Sequence, residues 1–438
     1  MRKWILCGVV LILLTGCVIP AANASSNNNP VTKQTPFESP VPQATSEIQP
    51  TPTETSVVEM PGKPTAIIPE STAKPEPIVT ATSAVYGPDN YPVGINPLTG
   101  LPVENPDNLN LPPALISITN FPVSARPQAG LSYAPFVFEV YIGEGMTRFL
   151  AMFYGDFPKI DNPSDSSGVT VDYATVGPIR SGRISYESFR KLYNGFLVMA
   201  SGASNVVSNL SSYSNIYGSD ADNINSAMID VTQLEQIAQS NQNQLNEQAL
   251  SGLEFAQTAP AGGLPAQRIW VPYAFLNQVD WKYDDARGAY LRYQDKADGT
   301  TFELATDRLN GDPLTFENVV ILFAKHEVIS PTIIDLDLTF VQKNPALLFR
   351  DGKLYEIYWT TASGAYEKNT GLLRPIRFID ADDNPVPLKP GQTWVHVVGL
   401  NTPYYEVPDS NVAYDLYNKK EPGSGVWAVR WYAPAGTK

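Results

Sequence analysis

The stretch from Val18 to Pro88 limits what this chain can fold into more than any other part of it. It is built from Pro, Ser, Thr, Ala, Asn and Gln with scattered Glu, has no apolar periodicity, and holds 13 of the 39 prolines in the 438-residue chain. Such a composition does not bury enough apolar surface to offset the entropy of ordering the backbone, so it predicts a disordered tether. A flexible coil of this length averages about 45–50 Å end to end and approaches about 220 Å if fully extended as polyproline II. The folded part is then nearer to about 350 residues, ample for a sizeable core.

What precedes the tether reads as an address. Arg2 and Lys3 lead into the apolar run Trp4 to Leu14, followed by Thr15-Gly16-Cys17. The run is too short to cross a hydrocarbon layer of about 30 Å as a helix, so it predicts a cleaved secretory signal rather than a permanent anchor. Leu14-Thr15-Gly16-Cys17 resembles a bacterial lipobox, which implies a signal peptide over 1–16, lipidation of Cys17 and a tether over 17–88. Two or more acyl chains on Cys17 would hold the protein on the membrane, where one alone binds marginally. The expected location is the outer face of the cytoplasmic membrane, facing the cell wall. Cys7 and Cys17 are the only cysteines, so no disulfide staples the folded part. With 30 basic and 44 acidic residues the chain carries a net charge of −14, which argues against nucleic acid as a partner.

Within this acidic chain, three motifs collect arginine: SARPQAGLS (124–132), GEGMTRFL (143–150) and VGPIRSGR (176–183). Arg126, Arg148, Arg180 and Arg183 each lie beside Gly or Pro or at the edge of an apolar run, which reads either as an anion-binding pocket or as a set of braces. Pro127 biases Arg126 towards extended backbone. Pro112 to Phe121 predicts a strand. Ala134 to Ile142 alternates with both faces largely apolar, which predicts a central strand carrying Glu139 as a buried carboxylate in need of a partner. Gly143-Glu144-Gly145 turns it into a second strand, Thr147 to Tyr154. Ser185 to Tyr193 predicts a short helix with Ser185 as N-cap, and Phe196 to Met199 a buried strand. The Arg180–Ser181 pair then falls at a strand-to-helix junction. Asn205 to Leu210 and Thr232 to Leu250 are expected as helices.

Ala259 to Pro265 is loop-like and divides the folded part into 89–262, mixed α/β, and 263–438, mostly β. The overall expectation is an α+β layered sandwich. In the second part, strands are expected around the turn Asp284 to Gly288, at Asn318 to Ala324, Ile333 to Phe340, Ala346 to Arg350, Leu354 to Thr360, Trp394 to Val398 and Val426 to Tyr432. Asp351-Gly352 between apolar runs is a hairpin signal.

The inventory of chemistry is narrow. His326 and His396 are the only imidazoles, and both fall in apolar strands, where a satisfied histidine is commoner than a catalytic one. Two histidines and a lipidated cysteine are too few for a zinc site. Asp335, Asp337 and Thr339 share a strand face, as on any half-exposed strand. No phosphate-cradling glycine motif occurs, so no cofactor is implied. The best enzyme reading is wall-glycan hydrolysis by Glu139 or Glu144 near Arg148; its counterpart makes those carboxylates braces.

The motifs NPLTG (96–100), ARPQAGLS (125–132), EGMTRFL (144–150), GPIRS (177–181), ENVVILF (317–323), LLFRDGKLYEIYW (347–359) and PGQTWVHVV (390–398) occur in an order that resembles the YerB-like bacterial lipoproteins, over about 91–400. That family has a two-part domain without an assigned biochemical function. The resemblance implies an α+β layered fold on a cell-envelope lipoprotein and, by association, a role at the wall with peptidoglycan or an envelope protein as partner. The chain departs from the family where a His-bearing segment reads as Val198 to Ser204, where a His-Asn loop before the boundary is missing, and in the insertion 157–175. These departures move the expectation from catalysis to binding. The ligand set is then Arg126, Arg148, Arg180, Arg183, Ser181 and Glu144.

Overall fold

The computed structural model describes residues 84–158, 174–220, 223, 225–242 and 250–437. Cys17, nearly all of the tether, most of the 157–175 insertion and positions 243–249 of the expected helix lie outside the described residues.

Among the described residues two large sheets, of 12 and 7 strands, carry most of the strands, beside two small two-stranded sheets. The strand Phe136–Gly143 sits inside the larger sheet because neither of its faces is polar enough to meet water. Phe136, Phe138 and Val140 pack on one side against Phe189 and Tyr193. Val137 and Tyr141 belong to the core on the other side. A hairpin joins this strand antiparallel to Met146–Phe153, through a turn in which Gly143, Glu144 and Gly145 all have positive φ. On its other edge it runs parallel to Thr393–Gly399, with Glu139 opposite His396.

That parallel seam makes one sheet from both halves of the chain. From it, the first half continues through Met146–Phe153, Ala114–Thr119, Phe196–Met199 and Tyr213–Asn215. The last three run parallel to one another. The second half continues through Asn318–Ser330, Asn344–Arg350 and Lys353–Thr360. Asp351 and Gly352 turn the last two strands with φ of 53° and 66°, the pattern expected of a two-residue hairpin. The loop after Ala259 ends in a short strand, Leu264–Pro265, that pairs with Lys353–Thr360.

The smaller sheet is built around Ala289–Asp295, Asn277–Asp284, Arg268–Ala274 and Val426–Val429, the last two parallel. One core cluster draws from both sheets, with Val137, Phe149, Phe349 and Trp394 from the larger and Ile269, Val271, Trp281 and Tyr290 from the smaller. Trp394 is fully buried and meets Phe149, Trp281 and Phe316 edge-on at centroid distances of 5.0, 5.5 and 5.2 Å. Burying a large apolar side chain of this kind contributes about 1.5–3 kcal/mol.

Strands outweigh helices more than the expected α+β sandwich implied. The helices are short, the longest among the described residues being Val231–Gln242 at 12 residues. The segment expected as helix from Asn205 forms one turn, Ser204–Val207, as its Ser/Asn-rich sequence does little to offset the cost of nucleation. Ser185 precedes the helix Tyr186–Leu192 but makes no side-chain cap, because its own φ and ψ are already helical at −60° and −20°. An N-cap side chain reaches the first-turn N–H groups from extended backbone instead.

Candidate anion-binding site

Arg148 stands at the start of the hairpin's second strand, opposite Thr119 in register. Its side chain is 8% exposed, so the guanidinium is drawn into the sheet's end rather than out to water. Nη1 donates to the Ser181 carbonyl at 2.8 Å, and Nε has no partner. The 180–183 loop is tied down around it. The Arg180 N–H donates to the Ser117 carbonyl at 2.8 Å, the Ala200 N–H to the Arg180 carbonyl at 3.0 Å, and the Gly182 N–H to the Ser201 carbonyl at 2.8 Å. Ser117 Oγ also donates to the Ser181 carbonyl, at 3.2 Å. These contacts hold the loop at the carboxyl ends of the parallel strands Ala114–Thr119 and Phe196–Met199.

Arg183 turns back on the loop, Nη1 donating to the Gly182 carbonyl at 3.0 Å while Nε has no partner. Among the described residues no carboxylate pairs with Arg148, Arg180 or Arg183. Burial, with the charges of Arg183 and Arg180 beside it, pushes the Arg148 pKa down to about 9, and burial lowers that of Arg183. A guanidinium does not give up its proton at neutral pH. The shifts therefore express the cost of concentrating positive charge in a partly dry place with nothing opposite it, a cost that an anion would relieve.

The fourth arginine lies elsewhere. Arg126 is extended, as Pro127 predicted, with φ −92° and ψ 149°. Nε donates to the Asn120 carbonyl and to Oδ1 at 3.1 and 3.2 Å, Nη1 donates to the Asp295 carbonyl at 2.7 Å, and the guanidinium covers Phe121 at 4.7 Å. Burial and then Arg292 push its pKa down to about 10. Three of the expected arginines thus share one neighbourhood, and Arg126 belongs with a residue of the second half.

The two glutamates also separate. Glu139 is fully buried and accepts from Thr147 Oγ at 2.8 Å, Arg292 Nη2 at 3.2 Å and Trp394 Nε1 at 3.2 Å. It braces the sheets, and its arginine partner comes from the second half rather than from the nearby motifs. Glu144 is exposed at the hairpin tip with φ 54°. Ser181 serves through its carbonyl. His396 is fully buried between Tyr273 Oη at 3.1 Å and Trp281 Nε1 at 2.8 Å. Asp335 is half-buried and Asp337 exposed, on the outer face of Ile333–Asp337.

Sequence reading passed over Arg292 and Asp307. The signal for Arg292 was present: Tyr290, Arg292 and Gln294 alternate onto the buried face of Ala289–Asp295, so a charged side chain there requires a buried counter-ion.

A mostly β fold of two sheets, with an arginine cluster at one strand end and a buried acid–base seam, defines the class of protein here. Residues 98–251 match the "Protein of unknown function (DUF3048) N-terminal domain" and residues 269–395 its C-terminal domain, so the chain belongs to this YerB-like family. It is similar to "Putative lipoprotein YerB" of Bacillus subtilis, with 28% identity covering 69% of this chain and 85% of the relative. It also resembles the crystal structure of the Bacillus subtilis YerB protein, with a TM-score of 0.53 and 24% identity over 69% of this chain and 96% of that one. That likeness speaks to the fold.

Proposed function

We propose that the protein is a non-enzymatic, lipid-anchored envelope protein that binds an anionic cell-wall component, or an anionic patch on an envelope partner, through Arg148, Arg180 and Arg183. The observation that carries this reading is the buried guanidinium of Arg148, which among the described residues has no carboxylate opposite it and an unused Nε–H. A buried charge without a counter-ion destabilises the fold that holds it, so it adds nothing as a purely structural element. Function is the usual reason for it to stay. The lipobox at Cys17 and the long tether support a place outside the cytoplasmic membrane, with the folded part held away from the bilayer and facing the wall. The name of the Bacillus subtilis relative supports the anchoring.

The hydrolase alternative draws little from the geometry. Glu139 has no access to solvent and already accepts three hydrogen bonds, while Glu144 is at an exposed tip. A pair of carboxylates flanking a glycosidic bond must both face the same cleft.

Calorimetric titration of the chain with purified wall polymers and muropeptides tests the reading. Saturable binding that is lost in Arg180→Ala is expected, and binding that survives Arg180→Ala unchanged would remove the site. Release of glycan fragments from purified wall, abolished in Glu144→Gln, would favour hydrolysis instead.

A further inference from the structure

The strand Lys353–Thr360 lies towards the edge of the larger sheet opposite to Phe196–Met199, and its outer side is covered only at the ends. Leu264–Pro265 pairs with Leu354 and Lys353, and Arg377–Ile379 pairs with Thr360, Trp359 and Tyr358, both antiparallel. The two short strands therefore follow one line with a three-residue gap between them, opposite Tyr355, Glu356 and Ile357. At about 3.4 Å per residue the gap is about 10 Å long. A cavity of about 580 Å³ occupies it, walled by the loop from Pro260 to Leu264 and the loop from Pro385 to Pro387.

The polar backbone of Glu356 faces this gap. Asp351 and Gly352 form a two-residue hairpin loop, so its closing pair, Arg350 and Lys353, bonds inward, and every second residue after Lys353 does the same. Glu356 falls in the alternate set, with Leu354 and Tyr358, which meet the two short strands. Among the described residues no backbone group bonds to Glu356 across this edge. The chain's own loops do not fill the place. Gly263 turns away at φ 84°, the Asp380 N–H turns back to the Asn384 carbonyl at 2.9 Å, and Pro260, Pro385 and Pro387 have no N–H to give.

The side chains define what would fit. Tyr355 and Ile357 are buried on one face of the strand, and Glu356 is exposed on the other, where it accepts from the neutral Tyr404 Oη at 2.6 Å. Among the described residues no lysine or arginine pairs with Glu356, and no basic residue lines the cavity, whose other carboxylate is Asp380. Lys343, whose charge acts on Asp380, is itself held by Asp383 at 2.6 Å, and Lys353 projects from the opposite face of the strand to Glu356. Directly opposed residues of an antiparallel pair share a face and interact. An extended segment in the gap would place its middle side chain beside Glu356 and its outer two beside Tyr355 and Ile357. The pattern that fits is apolar, basic, apolar.

We infer that the gap at Tyr355–Ile357 is a docking site for an extended peptide segment of a partner protein, which completes the sheet edge as its missing antiparallel piece with a lysine or arginine opposite Glu356. The middle residue of the segment donates its N–H to the Glu356 carbonyl and accepts from the Glu356 N–H, while the flanking N–H groups point away. The site uses none of the arginines of the function proposed above.

Hydrogen exchange and calorimetry of the full chain with acetyl-Val-Lys-Val-amide test the site. At ten times its dissociation constant the peptide should slow exchange of the Glu356 amide about tenfold and leave the amides of the 180–183 loop unchanged. Acetyl-Val-Glu-Val-amide should bind several-fold more weakly. Methylating the lysine amide nitrogen of the peptide should abolish binding, whereas methylating that of the last valine should not, because only the first lies in the ladder. Glu356→Gln, at an exposed position, should weaken the lysine peptide about two- to fivefold, as loss of an exposed ion pair does, and remove its advantage over the glutamate peptide. Equal binding of the peptide methylated at lysine, or protection that spares Glu356, would overturn the inference. Absence of saturable binding would also overturn it and would make Glu356 a charge that guards the edge against pairing.

Discussion

The Glu139 carboxylate meets the Arg292 guanidinium at 3.2 Å between the two sheets, with both side chains shut off from solvent. Each residue comes from a different half of the chain. Removing either partner leaves a buried charge uncompensated, which costs about 3–5 kcal/mol. Glu139→Gln and Arg292→Met are each expected to lower the unfolding free energy by that order in urea titrations. The double substitution should cost less than the sum of the two, with a coupling of about 0.5–3 kcal/mol. Strict additivity would show that the pair does not act as a unit.

Asp307 makes a second tie between the halves, and it gives the SARPQAGLS motif a role beyond arginine. Its buried carboxylate accepts from the Gly130 N–H, the Ser132 N–H and Ser132 Oγ, all at 2.8 Å. Arg308 beside it donates to the carbonyls of Pro127 and Ala125 at 2.8 and 3.0 Å. Hydrogen bonds to a charged group contribute about 1.5–3 kcal/mol, and stranded donors add to the loss. Asp307→Ala should destabilise the protein by about 3 kcal/mol or more and speed amide exchange at Gly130 and Ser132. Unchanged exchange at those two amides would rule out the tie.

The local elements were legible where one physical signal dominated. Two apolar faces marked Phe136–Gly143 as central, and Asp351-Gly352 marked its hairpin, since both depend on residues close in sequence. The partners of Glu139 were not legible, because a buried carboxylate shows the need for a counter-charge without saying which arginine the topology brings near. Arg148 was the nearer in sequence and Arg292 the nearer in space. For the same reason the four arginines read as one group: Arg148 opens a strand paired with Ala114–Thr119, and the 180–183 loop is bonded to Ser117 in that neighbouring strand, while Arg126 is carried to the second half by a loop whose direction no periodicity encodes. The strand Arg268–Ala274 escaped notice, since Pro272 and two aromatics obscure its alternation.

The two histidines give stability a pH dependence of predictable sign. Trp281 donates to His396 Nε2 at 2.8 Å, so that ring holds its proton on Nδ1 and stays neutral; burial lowers its pKa well below the usual value. Burial pushes His326 down to about 4. An unfolded histidine takes up a proton near pH 6.5, about where the folded ones still refuse it. The unfolded state therefore binds more protons as pH falls from about 6.5, and each histidine removes up to about 1.4 kcal/mol of stability per pH unit, for His326 until about pH 4. In His326→Gln the fall in unfolding free energy between about pH 6 and 4.5 should be shallower than in the wild type by roughly one histidine's share. Comparing the two chains cancels the carboxylates common to both, and equal slopes would contradict the buried, neutral state of His326.

Arg148 sets stability against binding. Among the described residues its buried guanidinium meets no carboxylate and leaves Nε unpaired, with one hydrogen bond to the Ser181 carbonyl at 2.8 Å. That bond contributes about 1 kcal/mol net, less than the penalty of holding an unpaired charge away from water. Methionine fills similar space without the charge, so Arg148→Met is expected to raise the unfolding free energy of the ligand-free protein by about 1–2 kcal/mol. If the cluster binds anions, inorganic phosphate at 100 times its dissociation constant should stabilise the wild type by about 2.7 kcal/mol and the variant hardly at all. The two stabilities, measured by urea unfolding with and without phosphate, would then cross. A variant that is less stable without phosphate and equally stabilised by it would assign Arg148 to holding the loop rather than to a ligand.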